Sequence, residues 1–282
     1  MVIQKGSGYR VFATKAKGAI HRLNDIPNQD AWKITYLDNV IIVAVADGLG
    51  SNRCKYSKYG SRIAVKVLSD MISEIYKNTA CHNAEFFTAL GKFRHDELPK
   101  NMEACWKERV KQHYVNEINT GDPNPGKEIY ELYATTLLGI VLTKDFYFAI
   151  QIGDGNIISV YDDESVENVI EPDRQLGVET YCLSQTEAWT KFATNIVQPR
   201  ENNSPILFLL STDGLANSYA NNQAFYQVGI DYLRWIKEKG FENVQEKIHN
   251  ILRTTSEKGS GDDITLALAV NDNVINPEGG NV

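Results

Sequence analysis

Five aspartates carry the chemistry this chain can offer: Asp30, Asp47, Asp154, Asp213 and Asp262. Each ends or flanks an apolar run, and Asp47, Asp154 and Asp213 are followed directly by glycine. A carboxylate at the tip of a buried strand is held by a rigid scaffold and pointed at the mouth of the fold, which suits a metal ligand or a catalytic acid. Several carboxylates converging on one site repel and push each other's pKa values upward, and a divalent cation resolves that conflict. Hard oxygen donors select Mg²⁺ or Mn²⁺ over zinc, and the histidines are scattered, with no His-x-x-x-His pair. Glycine beside a ligand aspartate lets the backbone approach, so that its carbonyl or bound waters can join the shell. Two such cations about 3.5–4 Å apart share a bridging water, make it a hydroxide near neutral pH and clamp a phosphoryl group for in-line attack. The pattern points to phosphoester hydrolysis.

Each feature taken singly has a plainer reading. Asp154-Gly155 suits a hairpin turn. Asp47 and Asp213 could be N-caps of the helices that follow them. Asp262-Asp263 could be a solvated turn. Gly48-Leu49-Gly50-Ser51 resembles a phosphate-cradling loop, but it lacks the Gly-Lys-Ser/Thr ending of a nucleotide P-loop.

The elements that must position these groups follow from periodicity. Val40 to Ala46 is an unbroken apolar run rich in β-branched residues, hence a strand buried on both faces, and Ile206 to Leu210 repeats the pattern. Strands are also expected at Tyr9–Thr14, Ala31–Leu37, Ala134–Leu142, Phe146–Ile152, Asn156–Tyr161, Phe192–Val197 and Ile264–Val270. Asp38-Asn39 makes a hairpin turn into the Val40 strand. Gly18 to Asp30 lacks periodicity and contains Pro27, so a loop is expected there. Apolar stripes predict helices along Tyr59, Ile63, Val67, Met71 and Ile75, along Phe86–Phe93, along Met102, Trp106, Val110, Tyr114 and Ile118 after Pro99, and along Phe225–Ile236 and Phe241–Leu252. Gly121–Gly126 is a loop, and Asp162–Ser204 is polar and ambiguous. Strands come in hairpin-linked groups with long helices between the groups, not in strict alternation. The expected class is therefore α+β: two mostly antiparallel sheets packed face to face, with helices on both outer faces, a four-layer αββα sandwich. No clean linker divides the chain, so residues 1–270 are read as one domain, and 271–282 as a polar, frayed tail.

The net charge of −7 over 282 residues argues against a nucleic-acid footprint or a basic membrane patch. No signal-type segment opens the chain, and no apolar run approaches the length of a bilayer span. Cys54, Cys81, Cys105 and Cys182 show no paired spacing and read as reduced thiols of a cytoplasmic protein.

Six segments in order, Pro27-Asn28-Gln29-Asp30-Ala31, Val45-Ala46-Asp47-Gly48-Leu49-Gly50, Ala134-Thr135-Thr136-Leu137, Gln151-Ile152-Gly153-Asp154-Gly155, Ser211-Thr212-Asp213-Gly214-Leu215 and Gly261-Asp262-Asp263-Ile264-Thr265, resemble the metal-dependent protein phosphatase family, the protein phosphatase 2C-like serine/threonine phosphatases. The resemblance spans Gly18 to Val270 and implies the αββα sandwich with a two-metal centre at one edge. It implies that Asp47 bridges two divalent cations, Mn²⁺ or Mg²⁺, and that Gly48 offers its carbonyl. Asp213 and Asp262 complete the ligand set of one cation, and Asp30 lies beside them as ligand or acceptor. Asp154 with Asp213 matches the pair that holds a third, weaker metal in some members. The implied catalytic residues are Asp30, Asp47 and Asp213. The implied reaction is hydrolysis of phosphoserine or phosphothreonine by a metal-bridging hydroxide, on a phosphoprotein substrate, opposing a serine/threonine kinase in signalling. The chain also departs from the pattern. Asp25 stands where many members have a phosphate-binding arginine, so His21 or Arg22 is the candidate for that work. Gln29 replaces an acidic residue. Leu49 replaces the histidine that animal members carry as proposed general acid, as in bacterial-type members. Two alternative readings are a non-catalytic phosphatase-like binding or regulatory module, and a phosphotransferase using an aspartyl-phosphate. The latter needs an Asp-x-Asp pair, and position 49 is leucine.

Overall fold

The computed structural model describes residues 7–119, 125–171, 180–200 and 204–275. In chain order the strands are β1 (Tyr9–Ala16), β2 (Ala31–Tyr36), β3 (Ile41–Ala46), β4 (Leu137–Leu142), β5 (Tyr147–Ile152), β6 (Asn156–Val160), β7 (Val166–Ile170), β8 (Ala193–Val197), β9 (Leu207–Ser211) and β10 (Ile264–Asn271). The helices are α1 (Ala19–Leu23), α2 (Ser57–Asn78), α3 (Asn83–Phe93), α4 (Glu97–His113), α5 (Asp213–Ala216), α6 (Asn222–Lys239), α7 (Phe241–Lys258) and α8 (Asp272–Ile275).

One sheet has the order β1-β10-β9-β6-β7 and the other β2-β3-β4-β5-β8, with every neighbouring pair antiparallel. Strict alternation along each strand builds three apolar layers. Ile41, Val43 and Val45 of β3 meet Phe208 and Leu210 of β9 and Ala267 and Ala269 of β10 between the sheets. Ile42, Ala44 and Ala46 turn the other way, onto α2 and α4. Leu207, Leu209, Leu266 and Leu268 face α6 and α7. A strand covered on both sides has no polar face to show, which is why β3 and β9 read as continuous apolar runs. The fold is the expected αββα sandwich. Among the described residues no helix is long and apolar enough to cross a membrane, and all four cysteines are free.

Several sequence readings are corrected in detail. The segment expected as a loop before Asp30 contains α1, whose His21 is buried. The strand expected from Ala134 begins at Leu137, because Thr135 instead forms an isolated bridge to Gly48. The helix expected to run through Ile118 ends at His113, and a wider π-turn carries Tyr114–Ile118. Its buried stripe accordingly stops at Val110. The hairpin reading of Asp154-Gly155 fails, since β5 and β6 belong to different sheets and the turn carries the chain across the sandwich. Asp47 caps no helix: α2 begins at Ser57 with Tyr56 at its N-cap. Asp213 lies inside the first turn of α5, with Thr212 at the cap. At the C-terminus β10 runs to Asn271 and α8 to Ile275, so the expected frayed tail lies outside the described residues from 276 onward. Parts of the expected 121–126 loop and of the ambiguous 162–204 stretch also lie outside them.

Candidate active site

Antiparallel pairing gathers the five aspartates. Ala31 pairs with Ala46, which sets Asp30, just before β2, beside Asp47, just after β3. Leu266 pairs with Ser211, which sets Asp213, just after β9, near Asp262, just before β10. Asn156 also pairs with Ser211, which adds the crossover carrying Asp154. In each case the end of one strand lies beside the start of its neighbour, so residues far apart in sequence reach one end of the sandwich.

Asp30, Asp154 and Asp213 are braced through their carboxylates, and Asp47 through its backbone. Asp30 is fully buried, and its Oδ2 accepts hydrogen bonds from Thr212 Oγ1 at 3.0 Å and Thr265 Oγ1 at 2.8 Å. Its Oδ1 has no hydrogen-bond partner among the described residues. The Asp47 carbonyl accepts from Thr136 N at 2.9 Å and Thr135 Oγ1 at 2.6 Å, and its own N–H donates to Thr136 Oγ1 at 3.1 Å. A Cβ on Gly48 would lie 2.6 Å from the Gln29 carbonyl and 2.8 Å from that of Ser57, so only glycine lets the chain turn there. Gly214 is tighter still, with a Cβ 2.1 Å from the Asp263 carbonyl. The Gln151 amide donates to the carbonyls of Gly153 and Gly155, at 3.0 and 2.8 Å, and fixes the turn that carries Asp154. Thr180 donates to Asp154 Oδ2 at 2.6 Å, and Asn217 to Asp213 Oδ2 at 2.8 Å.

The electrostatics follow from this crowding. Burial, then the charge of Asp263, pushes the Asp30 pKa up to about 7, against the pull of its threonine bonds. Burial, then the charges of Asp30, Asp213 and Asp262, raises Asp47 well above the carboxylate range. Burial, then Asp154 and Asp262, raises Asp213 to about 6, and burial raises Asp262. These groups resist bearing their charges together unless a cation neutralises them. An all-oxygen donor set, an unpartnered buried carboxylate oxygen and a glycine elbow that admits a backbone carbonyl all fit a hard divalent cation. Among the described residues no trio of Asp, Glu, His and Cys side chains forms a ready-made cage. The carboxylates stand as neighbouring pairs, Asp30 beside Asp47 and Asp213 near Asp262, which a hard cation that keeps several waters can join.

A family model described as Protein phosphatase 2C matches residues 17–253. The chain belongs to the protein phosphatase 2C family. By class it is a protein-serine/threonine phosphatase. No curated protein sequence matches it. Among solved structures, serine/threonine phosphatase Stp1 from Staphylococcus aureus is similar with a TM-score of 0.63 and 15% identity, over 96% of this chain and 98% of that one. The catalytic domain of the serine/threonine phosphatase PstP, solved with two manganese ions, gives 0.57 and 14%, over 93% and 97%. A bacterial serine phosphatase gives 0.61 and 17%, over 94% and 100%. At these identities the likeness is one of fold.

In this phosphatase the two basic candidates of the first segment part company. The imidazole of His21 points inward, its Nδ1 3.0 Å from Asp263 Oδ2, and that bond raises its pKa. The guanidinium of Arg22 turns outward to Glu257, at 2.8 Å, and to the Lys17 carbonyl.

Three residues that position the site escaped the sequence reading. Asp263 is buried and accepts from Gly18 N at 2.6 Å and Gln29 N at 2.7 Å, tying the α1 segment to β10. Its only sequence signal was the acidic pair after Gly261. Thr212 and Thr265 carry Asp30, and nothing but their place beside strand-end aspartates marked them. Replacing Thr265 by valine keeps the shape and removes one bond to Asp30. The expected cost is about 1 kcal/mol, read as a fall in melting temperature of roughly 2–4 °C; an unchanged melt would show that this bond does not hold Asp30.

Proposed function

We propose that this protein phosphatase 2C member hydrolyses phosphoserine and phosphothreonine in phosphoproteins, opposing a serine/threonine kinase, with a pair of divalent cations, Mn²⁺ or Mg²⁺. The observation that carries this reading is the meeting of Asp30, Asp47, Asp154, Asp213 and Asp262 at one end of the sandwich, where burial and neighbouring charge raise the pKa values of Asp30, Asp47 and Asp213, and burial raises that of Asp262. When bound, the cations supply an activated water and neutralise charge on the phosphoryl group. Asp47 is assigned as the carboxylate common to both, with the Gly48 carbonyl beside it. Asp213 and Asp262 are assigned to one cation, and Asp30 as ligand or as the acceptor behind Asp47. Asp154 with Asp213 is assigned to a third, weaker site, where Thr180 orients the carboxylate.

The chain's own residues hold the geometry. Thr135 and Thr136 fix the Asp47 elbow, and Thr212 and Thr265 fix Asp30. His21, locked on Asp263, is the basic group of the α1 segment that faces inward, and is preferred to Arg22 for contact with substrate phosphate. Leu49 offers no proton, so water protonates the leaving group. Residues 1–270 form the catalytic unit, and four free cysteines fit a reducing compartment such as the cytoplasm.

The test is hydrolysis of p-nitrophenyl phosphate and of a phosphothreonine peptide. Turnover is expected with Mn²⁺ or Mg²⁺, lost with EDTA and restored by adding the metal back. Turnover that survives exhaustive chelation would overturn the reading.

A further inference from the structure

A strip of cations with no carboxylate partner among the described residues runs from the mouth of this site along the edge of the second sheet. The N-terminal turn of α2 touches the Asp47-Gly48 elbow through Ser57. From there Lys58, Arg62 and Lys66 follow at four-residue spacing, one face of the helix. Two bonds dock this region on the segment that carries Asp30: Ser61 Oγ donates to the Gln29 carbonyl, and Lys15 Nζ of β1 donates to the Asp30 carbonyl. Lys33 joins them from β2. Ala31 packs in the α2 layer and Thr35 bonds Ser69 of α2, so the alternate residue between them shares that face. Among the described residues none of the five cations has a carboxylate within ion-pair distance, and the strip ends at Asp70, which Arg109 takes at 2.9 Å. Lys15, bonded to the Asp30 carbonyl, stands between the acidic centre and the basic strip.

Five cations gathered on one edge of a chain whose net charge is −7 make a local field opposite in sign to that of the whole molecule, and such a field attracts anions. We propose that the strip formed by Lys15, Lys33, Lys58, Arg62 and Lys66 binds an anionic stretch of the substrate, next to the phosphorylated residue, and so selects phosphoproteins with acidic or multiply phosphorylated flanks. The proposal rests on the phosphatase reading of the neighbouring centre. Carboxylate and phosphate share the needed chemistry, and the substrate arms separate them.

The test compares kcat/KM on three phosphothreonine peptides, with neutral, glutamate-rich and second-phosphoserine flanks, for wild type and for the variants Arg62→Glu and Lys58→Gln/Arg62→Gln. These positions are exposed or half-buried, and thermal melts check folding. Wild type is expected to favour an anionic flank by about tenfold, the gain lying in KM and shrinking with salt. Both variants are expected to remove most of that ratio, Arg62→Glu more strongly. A wild type that hydrolyses p-nitrophenyl phosphate yet shows no flank preference overturns the strip alone, as does a preference that survives both variants. Inhibition by a single-stranded oligonucleotide without any flank preference would assign the strip to nucleic acid and overturn it as well. A wild type that hydrolyses no phosphoester overturns the proposed reaction and the strip with it.

Discussion

Asp47→Ala is expected to cut metal-dependent phosphopeptide turnover by at least about 10³-fold while raising the melting temperature of the metal-free protein. The two halves have one cause. Asp47 follows β3, an inner strand of its sheet, with its backbone held by Thr135 and Thr136. Burial and the charges of Asp30, Asp213 and Asp262 make its ionised form costly in the absence of metal. Removing the carboxylate relieves that repulsion, but it also removes the group assigned to both cations. Loss of one preorganised electrostatic partner in an active site typically costs 10²–10³-fold, and loss of a shared ligand costs more. Asp213→Ala should behave alike in activity, with a smaller gain in stability, since Asp213 is less strongly shifted. Steady-state rates with saturating Mn²⁺ and metal-free thermal melts check both halves. Most activity retained in both variants would sink the assignment of these aspartates. A fall in the metal-free melting temperature would show that repulsion does not govern the empty site.

Metal-free protein is expected to lose stability as pH rises, the reverse of ordinary carboxylate behaviour. Asp30 has a folded-state pKa of about 7 and Asp213 of about 6, against an unfolded value near 4. A raised carboxylate pKa means the folded state binds more protons between those values. Its stabilising contribution is full below the unfolded pKa and is lost as pH rises through the folded one. His21, raised by Asp263, acts in the same direction, since its bond is strongest when the imidazole is charged. The expected loss between pH 5.5 and 8 is on the order of 3 kcal/mol, roughly 6–12 °C in melting temperature. Mn²⁺ binds only the folded, deprotonated site, so it should stabilise more at pH 8 than at pH 5.5 and flatten the profile. Differential scanning fluorimetry at both pH values, with EDTA or with Mn²⁺, reads this out. A metal-free melt that rises with pH, or a Mn²⁺ shift independent of pH, would contradict the electrostatic picture of the centre.

Legibility in the sequence followed local physics. The apolar runs ending at Asp47 and near Asp213 were readable because a strand covered on both faces must be apolar throughout. The helical stripes of α2, α6 and α7 were readable because burial of one face repeats every 3.6 residues. The end of α4 was not, since Tyr114 and Ile118 keep the apolar spacing after the helix has given way to a π-turn. The short helix α1 was also hidden, because it is held by tertiary contacts of His21 and Gly18 with Asp263 and not by its own periodicity.

By itself the chain determined the layered class, the five strand-end aspartates and the hard-cation chemistry they imply, since these depend on residue type and on spacing along one strand or helix. Which strands became neighbours was decided only in three dimensions. Antiparallel register set Asp30 beside Asp47 and Asp213 near Asp262, and the crossover between sheets made Asp154 part of the cluster instead of a hairpin tip. Tertiary structure also decided that Asp263 should knit the α1 segment to β10, and that Lys15, Lys33 and the α2 cations should share one edge. Contacts between residues more than two hundred positions apart are fixed by pairing and packing, and no local pattern in the chain encodes them.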